Sequence, residues 1–283
     1  MLVTGATSGI GLHTAMGLAG RGMRVIVHGR TIASARRATA AIVGAVPGAR
    51  LLSVAADFGS LAAVASLASQ VRAVSGGSLH VLVNNAGLAS GSARRSSDGF
   101  ELTMAVNHLA PFLLTAALLP TLQANAPARV VTVASVAHAW ARPRRGRIPL
   151  TDGPGGLRSY AHSKLANVLF TYALARRLQG STTSATCLHP GAVRTRLGRR
   201  GSGGMGMGLL LLWPLALWPQ TAARTSILLA SDPTVEGISG AYYASGRAVR
   251  SSAASHDRQL QEWLWHASEQ VTLPFLGAAS DVG

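Results

Sequence analysis

Tyr160 and Lys164 lie four residues apart in a stretch with helical periodicity, so their side chains share one face. An ammonium group beside a phenol favours the phenolate and lowers the tyrosine pKa from its ordinary value of about 10. Such a pair can protonate an alkoxide as hydride reaches a carbonyl carbon, or deprotonate an alcohol as hydride leaves. Y-x-x-x-K is common on helix surfaces, and the composition sets this one apart. Of the 26 Lys and Arg residues, 25 are arginine and Lys164 alone is lysine. Where Arg has served everywhere it is tolerated, lysine persists where a compact ammonium on a flexible stem is needed. Ser135, in Val133-Ala134-Ser135-Val136, follows an apolar run and can donate its hydroxyl to a substrate oxygen. Asn107 is polar within an apolar helical stretch and can hold a water that relays protons to Lys164.

A second constellation suits a phosphate. Thr4, Gly5, Gly9 and Gly11, with Thr7, Ser8 and Ile10 between the glycines, form T-G-x-x-x-G-x-G between a short apolar run and a helical pattern. Glycines there permit a tight turn and let backbone N–H groups and a helix N-terminus approach a pyrophosphate, although the same turn can be purely structural. Only Met1 to Val3 precede it, a thin strand for a sheet centre, which fits a start that is either truncated or wrongly assigned. The second strand ends His28-Gly29-Arg30, with no carboxylate for a ribose 2′-hydroxyl. An arginine at that point suits a 2′-phosphate, which predicts NADP(H) rather than NAD(H), with Arg30 on the phosphate. Arg36 and Arg37 either assist or are exposed helix residues. Asp57 can bind the adenine edge, with Phe58 supplying a backbone amide, or can cap the helix beginning near Ser60. Asn84-Asn85-Ala86-Gly87 is either an ordinary turn or the cofactor floor.

These groups need a scaffold that gathers strand ends. Short runs rich in Val, Leu or Ile read as strands at 2–4, 24–28, 51–54, 80–83, 129–133 and 184–188, with a last one at 241–244. Helical patterns lie between them at 9–21, 32–46, 61–75, 100–122 and 159–178, with another at 255–268. This alternation predicts an α/β fold: a single Rossmann-type, doubly wound parallel sheet flanked by helices on both faces. One domain spans 1–283, with loops or short helices at 137–157 and a substrate lid at about 192–219.

At this point the chain resembles the short-chain dehydrogenase/reductase family, through T-G-x-x-x-G-x-G, N-N-A-G, Asn107, Ser135, Tyr160-x-x-Ser163-Lys164 and Pro190-Gly191 in that order. Val106-Asn107-His108-Leu109, Ser163-Lys164-Leu165-Ala166-Asn167 and His189-Pro190-Gly191 are similar to its retinol-dehydrogenase-like branch. The resemblance implies Tyr160 as acid/base, Lys164 tuning it and holding the nicotinamide ribose, Ser135 polarising the carbonyl and Asn107 supporting the water relay. It also implies that Asn85, Ala86, Gly87, Pro190, Gly191, Val193 and Thr195 border the cofactor, and that the chain is a dimer or tetramer.

Composition limits the other classes. The net charge of +16 invites a nucleic-acid reading, but no nucleic-acid-binding signature accompanies it, so it reads as a solvated surface. Nine histidines without ligand spacing and one cysteine, Cys187, predict no metal site and no disulfide. A cytoplasmic location is expected, because no signal peptide is evident. The run Leu209 to Trp218 is too short, and broken by Pro214, to span a bilayer. As part of an apolar lid it suits a lipophilic substrate, or else covers the core or a subunit contact. Arginines at 142–147 and 194–200 could steer an anionic or carrier-bound substrate, or draw the protein to an acidic membrane surface. The expected activity is reduction of a ketone or aldehyde in a biosynthetic pathway. A retained fold with a non-redox or binding role is the alternative.

Overall fold

The computed structural model describes residues 1–143, 147–191 and 217–277. Its sheet contains β1 (Leu2–Val3), β2 (Val25–Gly29), β3 (Leu51–Ala55), β4 (Val81–Asn84), β5 (Ala128–Val133), β6 (Thr183–His189), β7 (Ala241–Ala244) and β8 (Arg247–Val249). They lie in the order β3-β2-β1-β4-β5-β6-β7-β8, and β8 alone runs antiparallel. Helices α1 (Gly9–Ala19), α2 (Ile32–Ala45), α3 (Leu61–Ser75), α4 (Leu102–Ala124), α5 (Gly156–Arg177), α6 (Pro219–Ser231) and α7 (Arg258–Gly277) accompany it.

The central strands β1, β2 and β4 are largely apolar at successive positions because both faces are covered. In β4, Leu82 packs with Leu109 and Leu113 of α4. Its neighbours Val81 and Val83 face the other way, among Ala15 and Leu18 of α1 and Ile227 of α6. The chain winds outward from β1 to β3, then returns to place β4 beside β1, with Leu2 opposite Leu82 and Val3 opposite Val83. That reversal opens a crevice at the carboxyl ends of the strands, where doubly wound sheets bind ligands.

The expected α/β architecture is present. Helix α6 and strand β8 are additions that the sequence reading did not contain, and α7 begins at Arg258 and runs on to Gly277. Helix α4 is apolar and long enough to cross a membrane, yet most of that stretch is buried inside the fold. It is a core helix, and it contains a π-helical segment at Ala105–Leu109.

Candidate active site

A cleft of about 980 Å³ occupies the crevice. At one end the turn after β1 supplies Gly5, Thr7, Ser8, Gly9, Ile10 and Gly11. Gly5 and Gly9 take left-handed φ angles of 62° and 56°, which glycine adopts without strain. A Cβ at Gly11 would lie 2.5 Å from the Gly5 carbonyl oxygen and overlap the Asn85 amide. Helix α1 therefore starts hard against the turn, with its free N-terminal amides at the cleft. Buried Thr4 braces this turn: its hydroxyl donates to the Val83 carbonyl and accepts from the Asn85 and Ala86 amides, at 3.2, 2.9 and 3.0 Å. The Asn85 side chain donates back to the Thr4 carbonyl at 2.7 Å.

The ends of β2 and β3 form the next wall, with His28, Arg30, Asp57 and Phe58, and Thr31, Ser34 and Arg37 follow from the start of α2. Arg37 thus faces the cleft alongside Arg30, whereas Arg36 does not border it. Asp57 does not cap α3. Its carboxylate accepts from the Gly59 amide at 2.9 Å, and Ser60 caps the helix through the Ala63 amide.

At the far end, Tyr160 and Lys164 reach the cleft from α5, beside Val133, Ala134, Gly87 and Pro190. Gly191 follows Pro190 and packs on Leu217, while Val193, Thr195, Trp213 and most of the expected lid lie outside the described residues. The Lys164 ammonium donates to the Val133 carbonyl at 3.0 Å and lies 5.7 Å from the centre of the Tyr160 ring. Burial lowers its pKa to about 8. Burial also raises the Tyr160 pKa, opposed by a hydrogen bond with Ser135. The sequence-based expectation of a tyrosine shifted down by lysine is therefore not met here. The cation sits over the ring and is bound to a backbone oxygen, so desolvation of the phenolate dominates.

Asn107 lies in the π segment, fully buried. Its amide nitrogen donates to the Leu88 carbonyl at 2.9 Å and to the Ser163 hydroxyl at 3.0 Å, and its oxygen accepts from the Leu88 amide at 2.7 Å. Both amide protons are thereby used. A Cβ at Gly87 would lie 3.2 Å from the Asn107 oxygen and 3.5 Å from the lysine Nζ. Glycine thus keeps clear a point within reach of both groups, which is the geometry a bridging water requires.

Helix N-terminal amides, a phenol and a buried ammonium therefore border one cleft at the switch point of a parallel sheet. The model of the short chain dehydrogenase family matches residues 1–202. The chain belongs to that family. It is 37% identical to human retinol dehydrogenase 12 over 277 residues, covering 95% of this chain and 84% of that protein. Bovine dehydrogenase/reductase SDR family member 13 is 38% identical over 279 residues, covering 95% and 72%. The retinol-dehydrogenase-like branch is thereby the chain's place in the family. Among solved structures, a Mycobacterium paratuberculosis protein of 30% identity superposes with a TM-score of 0.74, covering 96% of this chain and 92% of that one. A Brucella melitensis 3-ketoacyl-(acyl-carrier-protein) reductase complexed with NADH gives 0.68 at 26% identity, covering 85% and 93%.

The family is one of oxidoreductases that use a nicotinamide cofactor. The residues here fit such a dinucleotide. The glycine turn and the start of α1 would hold the pyrophosphate, and the cleft extends from them to Arg30 on one side and Tyr160 on the other. Sequence reasoning placed Thr4 in the glycine motif without its bracing role, and it overlooked His28 as a builder of this site. The nearest signal was a histidine at the end of an apolar strand, a place where a polar ring needs a partner.

Proposed function

We propose that the chain is an NADP(H)-dependent reductase of a lipophilic ketone or aldehyde. The observation that carries this reading is the pairing of Arg30 and Arg37 at one end of the cleft with Tyr160 and Lys164 at the other. Two guanidiniums at the end of β2 and on α2 offer charge-assisted hydrogen bonds to a 2′-phosphate, beside a helix start that Thr31 and Ser34 cap. The bound nicotinamide supplies the hydride, or accepts it in the reverse direction.

The protein's own part is orientation and proton transfer. Ser135 donates to the carbonyl oxygen, and Tyr160 O–H gives its proton to that oxygen as it becomes the alcohol. A tyrosine held protonated by burial is in the form that reduction requires. Lys164 keeps its proton at neutral pH, holds the nicotinamide ribose and reprotonates the tyrosinate through water at the Gly87 side, supported by Asn107. The lipophilic substrate class is supported by the names of the retinol dehydrogenase relatives.

Arg30→Ala and Arg37→Ala are expected to raise the Michaelis constant for NADPH about tenfold or more each, at the scale of a lost charged hydrogen bond. The constant for NADH should change little. Steady-state kinetics with both cofactors decide the matter, and parallel changes for NADPH and NADH would contradict the assignment.

A further inference from the structure

His28 lines the cleft beside the phosphate turn and is hydrogen-bonded to it. It is 3% exposed and lies at the end of β2, two residues before Arg30. The Gly5 amide donates to its Nδ1 at 3.1 Å. A backbone N–H can only donate, so Nδ1 is bare and the ring proton sits on Nε2. That nitrogen lies 3.1 Å from the Ala56 carbonyl at the end of β3, to which it donates. The ring also stacks on Phe58, with centroids 4.7 Å apart and planes 28° from parallel. Its own carbonyl accepts from the Ala6 amide at 2.9 Å. His28 thereby occupies two successive amides at the head of the glycine turn and ties them to both strand ends that wall the cleft.

We infer that His28 is a positioning residue for the dinucleotide: as a neutral, Nε2-protonated ring it fixes the Gly5 amide, and hence the phosphate-binding turn, against the end of β3. Without an acceptor at Nδ1, the Gly5 N–H loses its partner beside a glycine free to take other φ values. The turn then samples other conformations, and dinucleotide binding must pay for ordering it. The effect acts on affinity and leaves the distant Tyr160 and Lys164 untouched. This inference rests on reading the cleft as an NADP(H) site.

Calorimetric titration of NADPH into the whole protein tests it, with His28→Phe, His28→Asn and His28→Gln. Phenylalanine keeps the stacking but offers no acceptor, and its NADPH dissociation constant is expected to rise about tenfold, with kcat at saturating NADPH within about twofold. The asparagine oxygen falls near the place of Nδ1 and restores much of the affinity, whereas glutamine reaches toward Ala56 and leaves Gly5 unpaired. Should the phenylalanine variant unfold, the other two still decide: asparagine must bind NADPH more tightly than glutamine. Equal affinity in the two, or tighter binding by glutamine, would overturn the role of His28. Failure of the unmodified protein to bind NADPH would instead overturn the cofactor reading beneath it.

Discussion

Tyr160→Phe is expected to lower kcat by about three orders of magnitude, within the range that positioned acid/base groups contribute. The change removes one oxygen. The ring, its place beneath the lysine Nζ at 5.7 Å and the bond from that Nζ to the Val133 carbonyl all remain available. NADPH affinity should therefore stay within about twofold of the unmodified protein, because the variant loses an interaction made with the reacting oxygen. Single-turnover measurement with saturating NADPH separates the two quantities. A variant that kept a tenth of the activity would remove Tyr160 from the proton path, and one that lost NADPH binding would make it part of the cofactor site.

A second large effect concerns stability in acid. Burial lowers the pKa of His28 and of His108 from 6.5 to about 4. His138 and His189 are shifted in the same direction, again chiefly by burial. A base with a depressed folded-state pKa is neutral in the fold, while the unfolded chain takes up its proton below about pH 6.5. The stability is thus intact above pH 6.5 and is lost as pH falls toward 4. His28 and His108 each forfeit about 3 kcal/mol at pH 4, and together they match a sizeable part of a domain's net stability. The Tm is expected to fall steadily from pH 6.5 downward. Glu262, held low to about 2 by Arg177 and Arg176, gives way only below the ordinary carboxylate range, so it cannot produce loss at pH 5 to 6. A Tm that stayed flat between pH 7 and 4.5 would show that these rings are not buried neutral. Replacing either histidine with glutamine should flatten the slope by about half.

The centre of the sheet was legible because its strands bury both faces: in β4, Val81, Leu82 and Val83 form an unbroken apolar run, and both core layers need it. The glycine turn was legible for a local reason, since the close approach of Gly11 to the Gly5 carbonyl leaves no room for a side chain. Tyr160 and Lys164 were found through helical spacing and through the lysine's rarity. Other features had no local signal. Helix α6 meets α1 at Ile227, which lies against Gly17, but its other buried positions mix small and polar residues such as Ala222, Thr225 and Ser226, which blur the apolar stripe. The three residues of β8 are exposed, and they pair with β7 through backbone alone. The π segment at Asn107 left no mark in the residue pattern of α4. The roles of Thr4 and His28 depend on partners far along the chain, at Val83 to Ala86 and at Gly5 and Ala56. The direction of the Tyr160 shift was misjudged for a related reason. Spacing places a lysine near a tyrosine, but the depth of burial and the Val133 carbonyl decide where its charge acts.

The central claim is that this cleft moves hydride between NADP(H) and a carbonyl carbon. Incubation with NADPH deuterated at C4, and with retinaldehyde and a panel of lipophilic ketones and aldehydes, tests it directly by mass spectrometry of the alcohol formed. The account predicts one deuterium on the carbinol carbon, delivered from a single face of the cofactor and absent with Tyr160→Phe. Alcohol without deuterium, or no NADPH consumed across the panel by protein that binds the cofactor, would contradict it.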